Sequence, residues 1–452
     1  MTLERGVSSK TYTIARGRKP GAWVLYQAHP DGTVIDLERK ADSCVVVAAD
    51  YVIVRGIVCR GARKQGILIG NHRDVVIEGC DISGWGRRET RKSARPYPPD
   101  LGVHLDAAIR SEGRDVERLV IQGNRIHHPA YRSSNWTEWS PFFSSSHPQG
   151  PKAIVLGPPS AGNHVIRYND FFSDREHMFN DILFESLGTK PSPGNGLVRD
   201  SDIYGNSFSD CWDDAIEVER GDRNVRIWNN YFTRVFKAIS AGYDWEGPVY
   251  IWRNVSERTL EPHKVSGRGE DTMDRLVAAF LMPSQEKKEA AWSSVLFVYH
   301  NTVLCDGGQC DSLAAGNGYD LYDSDSLVRM VSRNNIWQTE QWALRDVFTF
   351  SGIRGRYLSE DYDLHNGRFD SAHARGPHAI QGVPRFRPGH GPGGAGNYQL
   401  IPGSLGHDAG QVLPNFNDGY EGAAPDVGAH EAGSPTMQFG VDLWSPTQRL
   451  LE

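Results

Sequence analysis

The stretch IYGNSFSDCWDDAIEVERGDRNVRIWNNYF, residues 203–232, contains the same short pattern twice, 24 residues apart. In each copy an asparagine, Asn206 or Asn230, stands in the fourth position, and a phenylalanine follows two residues later. The pattern returns a further 24 residues on, with Asn254 in the segment IWRNVS. A unit this short cannot bury its own apolar face, whereas stacked copies can, so the period predicts a solenoid of β-strands.

Nine segments along the chain carry this pattern. The step from Gly56 to Cys80 is counted as 24, like the two steps above, and the other steps are longer by 10 to 23 residues, as when a loop is inserted into one turn. A β-propeller fits less well, because each blade needs four strands and about 40 residues. The fourth residues of the nine segments are Gly56, Cys80, Asn124, Asn169, Asn206, Asn230, Asn254, Asn301 and Asn335.

Stacked parallel strands lie about 4.8 Å apart, so asparagines at one turn position would form a hydrogen-bonded ladder. The sequence resembles right-handed parallel β-helix proteins, and we predict this all-β fold with long inserted loops. Cap strands are expected at 1–40, the β-helix at 41–340, and a capping or wrapping segment of the same domain at 341–452. The stretch 397–431 resembles the C-terminal segment of secreted bacterial β-helix proteins, which implies a secreted or periplasmic location.

The composition of the 452 residues agrees with a loop-rich β protein. With 39 % hydrophobic residues, 48 Gly and 25 Pro, the chain is too apolar for disorder and too rich in turn formers for a helical bundle. Its net charge of −7 gives no positive field for nucleic acid or an anionic membrane. Six cysteines are too few for a disulfide scaffold, although Cys305 and Cys310 could either close a small loop or remain thiols.

A second strand of each turn carries charged residues that should also stack. Its copies are PKAIVLG (151–157), NDILFES (180–186), DDAIEVE (213–219) and FKAISAG (236–242). Like carboxylates on neighbouring coils repel unless they share a proton, bind a cation or are compensated by lysines. The column is therefore either a solvated charged ladder that fixes the register or a functional site. Aligning the apolar pairs places Lys152, Asp181, Asp214 and Lys237 in one column, with Asp213, Glu217 and Glu219 on the same coil as Asp214.

Three insertions, 84–105, 127–150 and 173–180, precede strands of this column or its neighbour and should wall a cleft beside it. Exposed aromatic rings in the second would bind sugar rings, or the loop packs its own aromatics. Arginines in the first would bind carboxylated polymers, or they are an ordinary solvated run. The substrate-binding candidates are Arg87, Arg88, Arg91, Tyr131, Trp136, Trp139 and Glu219.

The acidic residues and the Phe236-Lys237 pair are similar to the motif of family-nine pectate lyases and their β-helix relatives. That resemblance implies a calcium site and a lysine base that removes a carbon-bound proton. Its implied function is calcium-assisted β-elimination on a uronic-acid polysaccharide. The implied metal ligands are Asp181, Asp213, Asp214 and Glu217, and the catalytic candidates are Lys237, Asp214, Asp181 and Lys152.

Three other functions remain open at this point. A glycoside hydrolase would use Asp181 and Asp214 as its carboxylate pair, since about 5 to 5.5 Å between carboxylates suits a retaining mechanism. The two flanking lysines would then tune the pKa values of that pair. An epimerase would use the same proton abstraction as a lyase, and a non-catalytic carbohydrate-binding or adhesin-type β-helix would use only the aromatic loop.

Overall fold

The computed structural model divides the chain into two compact units, Met1–Glu217 with Phe439–Glu452, and Val218–Gln438. It describes every residue except 94, 137, 143, 146, 158–159, 184–196, 219–221, 242–245, 258–277, 283–294, 306–309, 315–328, 340–347, 350–357, 367–375, 392–395 and 446–452, and it gives no side-chain burial for 278–282, 305, 310–314, 329, 339, 348–349 and 358. The predicted boundaries at 40 and 340 concern the cap and the tail, and they stay predictions.

The first unit is wound from short parallel strands that fall into three stacks. The stacks are β1-β4-β7-β10-β13-β16-β18, β2-β5-β8-β11-β14 and β3-β6-β9-β12-β15-β17. Its strands are β1 (Gly6–Ser8), β2 (Tyr12–Ile14), β3 (Val24–Gln27), β4 (Thr33–Asp36), β5 (Ser43–Val47), β6 (Val52–Arg55), β7 (Val58–Arg60), β8 (Gln65–Ile69), β9 (Val75–Glu78), β10 (Asp81–Ser83), β11 (Ala107–Ser111), β12 (Leu119–Gln122), β13 (Arg125–His127), β14 (Lys152–Leu156), β15 (Val165–Arg167), β16 (Asp170–Phe172), β17 (Asp202–Tyr204) and β18 (Ser207–Glu217).

The second unit repeats this architecture. Its stacks are β19-β21-β24-β27-β30 and β20-β22-β25-β28-β31-β32, and the end of β20 also begins a third stack, β20-β23-β26-β29. The described strands pair in parallel, which confirms the all-β, right-handed parallel β-helix. The strands are β19 (Val225–Trp228), β20 (Tyr231–Ser240), β21 (Val249–Trp252), β22 (Val255–Glu257), β23 (Ala278–Met282), β24 (Val295–Tyr299), β25 (Thr302–Cys305), β26 (Cys310–Ala314), β27 (Arg329–Arg333), β28 (Ile336–Thr339), β29 (Phe348–Thr349), β30 (Leu358–Asp361), β31 (Leu364–His365) and β32 (Ile380–Gln381).

The core consists of apolar residues that stack in register from coil to coil. In the first unit Val54, Ile77, Ile121, Ile166 and Ile203 pair in sequence and are at most 1 % exposed. Burial of each such side chain contributes about 1.5–3 kcal/mol. The apolar residue at the start of each repeated segment therefore holds one coil against the next.

The predicted asparagine ladder is confirmed within both units. In the first, the Asn124 side-chain amide donates to Asn169 Oδ1 at 2.9 Å, and the Asn169 amide donates to Asn206 Oδ1 at 3.0 Å. In the second unit the same hydrogen bonds join Asn230, Asn254, Asn301 and Asn335, and the last of these donates to Asp363. All of the ladder asparagines are fully buried, so their role is structural.

The first step of the repeat was wrong by one residue. Val54 pairs with Ile77, a step of 23, and the Gly56 amide donates to the Glu78 carbonyl, which places Gly56 opposite Gly79. Gly56 has φ 74° and Gly79 has φ 61°, so both occupy the left-handed turn position that precedes the ladder. Glycine occupies this turn because it tolerates the left-handed conformation. Gly56 was aligned with the ladder asparagines because it stands directly before the ladder position.

A disulfide joins Cys44 on β5 to Cys59 on β7, with 5.9 Å between their Cα atoms. Both cysteines are buried. The predicted candidates for a disulfide, Cys305 and Cys310, have side chains outside the described part of the chain. The missed signal is spatial: residues 15 apart meet because one coil returns beside the next.

The described parts of the C-terminal segment pack on each unit separately. In the second unit, the Tyr398 hydroxyl donates to Glu257, and the Gly428 amide donates to the Asn334 carbonyl at 2.7 Å. In the first unit, the Trp444 ring lies so close to Gly79 and Gly123 that an added Cβ would come within 2.5 Å of it. Among the described residues, no helix is long and apolar enough to cross a membrane.

Candidate active site

The coil register brings the central residues of the charged column together in the first unit. Ile154 bridges Leu183, and Leu183 bridges Ile216, so Lys152, Asp181 and Asp214 stand in register two residues earlier on three coils. Phe179 also pairs with Cys211. Three residues lie between Phe179 and Leu183 on one coil, whereas four residues lie between Cys211 and Ile216 on the next coil. This extra residue is a β-bulge, and it turns both Asp213 and Asp214 toward the preceding coil.

Three carboxylates converge at this bulge. One oxygen each of Asp181, Asp213 and Asp214 lies within 4.8 Å of the others, and the three residues are 4 %, 2 % and 8 % exposed. Carboxylates buried this close repel strongly unless positive charge or hydrogen-bond donors face them. The donors that surround the cluster therefore decide what it can do.

Asp181 is the most tightly held member of the cluster. Its Oδ2 accepts hydrogen bonds from Lys152 Nζ and from Asn180 Nδ2, and its Oδ1 accepts one from the Asp214 amide at 3.1 Å. Lys152 is completely buried, so its ammonium serves this carboxylate. The three clustered carboxylates can together offer oxygen ligands to a divalent cation.

The donor set fits a hard cation, because Ca²⁺ prefers carboxylate and amide oxygens. Asn180 lies beside Asp181, is fully buried, and points an Oδ1 that accepts no hydrogen bond from any described residue. The negative charges also affect the nearby thiol of Cys211. Burial, together with Asp181, Asp213 and Asp214, raises its pKa well above the usual value, so this cysteine is a neutral core residue.

Two residues at the cluster were missed from the sequence, Asn180 and His147. The His147 ring packs 4.7 Å from Trp136, and its Nδ1 lies 3.5 Å from Asp213 Oδ2. His147 belongs to the insertion 127–150, which carries no repeat. The available signal was position alone, since His147 comes shortly before β14 and Asn180 comes directly before Asp181.

The predicted substrate-binding arginines each have a carboxylate partner in the first unit. Arg87 donates to the buried Asp106 through two nitrogens, at 2.9 and 2.7 Å. Arg88 pairs with Asp100 at 3.2 Å, and Arg91 pairs with Glu89. Their substrate-binding roles stay predictions, since these ion pairs already hold the guanidinium groups within their loop.

Two of the predicted aromatic residues contact side chains of other loops. The Arg39 guanidinium lies 4.7 Å above the Tyr131 ring. Trp139 donates to Ser93 at 2.8 Å and lies under Arg95 at 4.6 Å, so the insertions 84–105 and 127–150 are joined side by side. The expected cleft beside the charged column and sugar binding by Tyr131, Trp136 and Trp139 stay predictions.

The remaining candidates are Glu217, Glu219 and Lys237. Glu217 ends β18, is partly exposed and is not one of the three clustered carboxylates, while Glu219 lies outside the described residues. Lys237 lies on β20 of the second unit and is 3 % exposed, with its Nζ 5.5 Å from the ring centre of Phe236. The predicted stacking of Lys237 on Asp214 would join the two units and stays a prediction.

No family model matches the sequence, and no curated protein matches it. Solved structures do match. A variant of the PL6 family alginate lyase AlyGC is 12 % identical with a TM-score of 0.53, and the match covers 92 % of this chain and 56 % of that chain. Pectate lyase Pel9A is 13 % identical with a TM-score of 0.45, over 95 % of this chain and 85 % of that chain. At these identities the similarity concerns the fold, which is the β-helix of solved polysaccharide lyases.

Proposed function

We propose that this chain is a polysaccharide lyase that cleaves a uronic-acid-containing polysaccharide by β-elimination, assisted by Ca²⁺. The observation that carries the proposal is the convergence of Asp181, Asp213 and Asp214, whose carboxylate oxygens lie within 4.8 Å of one another in a buried cluster. Buried like charges at this spacing are costly without a counter-ion. The β-helix fold shared with alginate and pectate lyases supports the same conclusion.

In this proposal the residues of the chain divide the work. A bound Ca²⁺ would neutralise the substrate carboxylate and acidify the carbon-bound proton beside it. Lys152 and Asn180 orient Asp181, and His147 stands beside Asp213 from the neighbouring insertion. Lys237 remains the proposed base on the sequence pattern alone, and it would take that proton as the leaving sugar departs.

A glycoside hydrolase is less well supported by these contacts. In a hydrolase, Asp181 would have to act as the acid or as the nucleophile, but both of its oxygens already accept hydrogen bonds. Protonation of Asp181 would cost it at least one of these bonds, and nucleophilic attack would cost it the Lys152 ion pair. Asp181 therefore suits a ligand or anchor better than it suits a proton donor.

The deciding experiment incubates the full chain with polygalacturonate and with alginate, in Ca²⁺ or in chelator, and follows ultraviolet absorbance. Unsaturated product ends that appear only with Ca²⁺ are expected. New reducing ends without that absorbance would mean a hydrolase, and binding without either would mean an adhesin. Both results would overturn the proposal.

Asp213→Asn is expected to lower the lyase rate at least about a hundredfold, because second-shell changes alone cost 10 to 100-fold in metal sites. Asp74→Asn is the matched control: Asp74 is a buried carboxylate that pairs with Arg118 beside another strand stack. It should lower stability and leave the rate unchanged.

The Cys44–Cys59 disulfide supports the expected export, because disulfides persist in oxidising compartments.

A further inference from the structure

Two adjacent histidines in the first unit face each other at the end of β13. His127 is the last residue of this strand, and His128 has φ 47°, a left-handed turn that brings both rings to the same side of the chain. Their Nδ1 atoms are 2.9 Å apart, and their rings meet nearly at right angles, at 82°. Strand residues next to each other normally point to opposite faces, so this arrangement depends on the turn.

The second nitrogen of each ring faces a carboxylate from a different coil. His127 Nε2 lies 3.4 Å from Asp81 Oδ1 on β10, and His128 Nε2 lies 3.4 Å from Asp174 Oδ2 in the turn after β16. The His127 ring is also stacked on Phe172, 4.8 Å between centres. The hydrogen bond from His127 lowers the pKa of Asp81, so this carboxylate is an acceptor near neutral pH.

These contacts leave the two Nδ1 atoms as the acceptors of neutral imidazoles. A neutral imidazole carries one N–H, and a neighbouring carboxylate draws that N–H to its own side. Two lone pairs then meet at 2.9 Å, which is repulsive unless a proton or a cation lies between or beside them. The described residues place no other donor on either Nδ1.

We propose that His127 and His128 form a two-imidazole site for a borderline divalent cation such as Zn²⁺, with water completing the coordination. Imidazole nitrogen suits Zn²⁺, whereas Ca²⁺ and Mg²⁺ prefer oxygen ligands. A ligating histidine that donates its other N–H to a carboxylate is the usual arrangement at metal sites, and here both histidines have that partner.

The site has a structural consequence for the two loops beside it. His128 lies at the start of the insertion 127–150, directly after His127. Asp174 also accepts from His177 at 2.9 Å in the turn that leads toward Asn180. A cation on the histidine pair would strengthen the link between these two segments. The site shares no residue with Asp181, Asp213 and Asp214, so it is independent of the proposed lyase activity.

The test titrates Zn²⁺ into the full chain by calorimetry in Ca²⁺-containing buffer and measures the unfolding temperature with and without Zn²⁺. His127→Gln and His128→Gln should each weaken Zn²⁺ binding at least about tenfold and remove the rise in unfolding temperature. The matched control is His72→Gln, since His72 pairs with Asp50 at 2.8 Å but faces no second imidazole. It should bind Zn²⁺ as the wild type does.

Asp213→Asn should keep the Zn²⁺ affinity of the wild type. Loss of binding in Asp213→Asn, or equal affinity in His127→Gln and wild type, would overturn the proposal. So would failure of the wild type to bind, which would mean that the rings share a proton. If the histidine variants do not fold, Asp81→Asn keeps both imidazoles and should still weaken binding about tenfold.

Discussion

The asparagine ladder and the acidic cluster are both stacks of buried polar side chains on successive coils, yet they are held in opposite ways. Asn124, Asn169 and Asn206 satisfy one another, and each amide also reaches a backbone carbonyl, as Asn169 does to Ile121 at 2.9 Å. Asp181 and Asp214 cannot do this. In their cluster, Asp181 instead accepts from an ammonium and a neighbouring amide.

The difference follows from the chemistry of the two side chains. An amide is both donor and acceptor, so a column of amides closes its own hydrogen bonds and can repeat without limit. An ionised carboxylate only accepts, so a column of carboxylates needs donors or cations from elsewhere. Repetition therefore marks the scaffold of this molecule, and a break in the repetition marks the place where chemistry is proposed.

The largest expected effect is the loss of one ladder amide. Asn169→Ala removes donors to Ile121, Arg167 and Asn206 and leaves buried acceptors unpaired, which should cost about 3 kcal/mol of unfolding free energy. Urea unfolding measures it. The control is Asn71→Ala, an exposed asparagine that donates to Asp115 and should cost well under 1 kcal/mol, or roughly the value of a surface contact. Equal costs for the two variants would mean that the ladder adds no stability.

A smaller effect is expected where an acid enters the ladder. Asp363 accepts from the backbone amide and the side chain of Asn335, at 2.7 and 2.9 Å. Burial raises the pKa of Asp363 to about 6, and burial with the charge of Asp363 raises that of Glu360 to about 7. Burial favours the protonated form of Asp363 and outweighs the hydrogen bonds that Ser332, Asn335 and Trp337 donate to its carboxylate.

The expected pH dependence follows from those directions. In the unfolded chain these carboxyls titrate near pH 4, so between about pH 4 and 7 the folded state holds more protons. Their contribution to stability is complete below about pH 4 and is lost as pH rises to about 7. The difference in unfolding free energy between wild type and Asp363→Asn, measured from pH 4 to 8, should fall accordingly. A difference that is constant with pH would contradict this assignment.

The fold could be predicted because its information is periodic. Asn206, Asn230 and Asn254 recur at a constant step. The register of Lys152, Asp181 and Asp214 in the charged column followed from the same repeat without any knowledge of side-chain contacts. The first step failed at Gly56, because glycine stood at the turn rather than at the ladder. Period alone cannot distinguish adjacent positions when a turn residue and a ladder residue stand side by side.

The rest of the site could not be read from the sequence, because it comes from insertions. His147 reaches Asp213 from a loop without repeat, and His127 and His128 meet through a left-handed turn. The bulge that gathers Asp213 with Asp214 depends on one extra residue between Cys211 and Ile216. These contacts depend on tertiary packing, which a period does not encode.

The smallest expected effect separates the two stacks by its sign. In chelator, Asp213→Asn removes one of three clustered negative charges and should raise the unfolding free energy by about 1 kcal/mol, because the repulsion in the folded state decreases. In the ladder the reverse exchange, Asn169→Asp, should lower it, because a carboxylate would face the Ile121 carbonyl and Asn206 Oδ1. With Ca²⁺ the wild type should become more stable than Asp213→Asn, since an ion that binds only the folded state stabilises the wild type more than the variant. Thermal unfolding of the wild type and of Asp213→Asn, in chelator and in Ca²⁺, measures which of the two is more stable in each condition. A wild type with the same unfolding temperature in both conditions would mean that Lys152 and the neighbouring donors balance the cluster without a metal, as the amides balance the ladder.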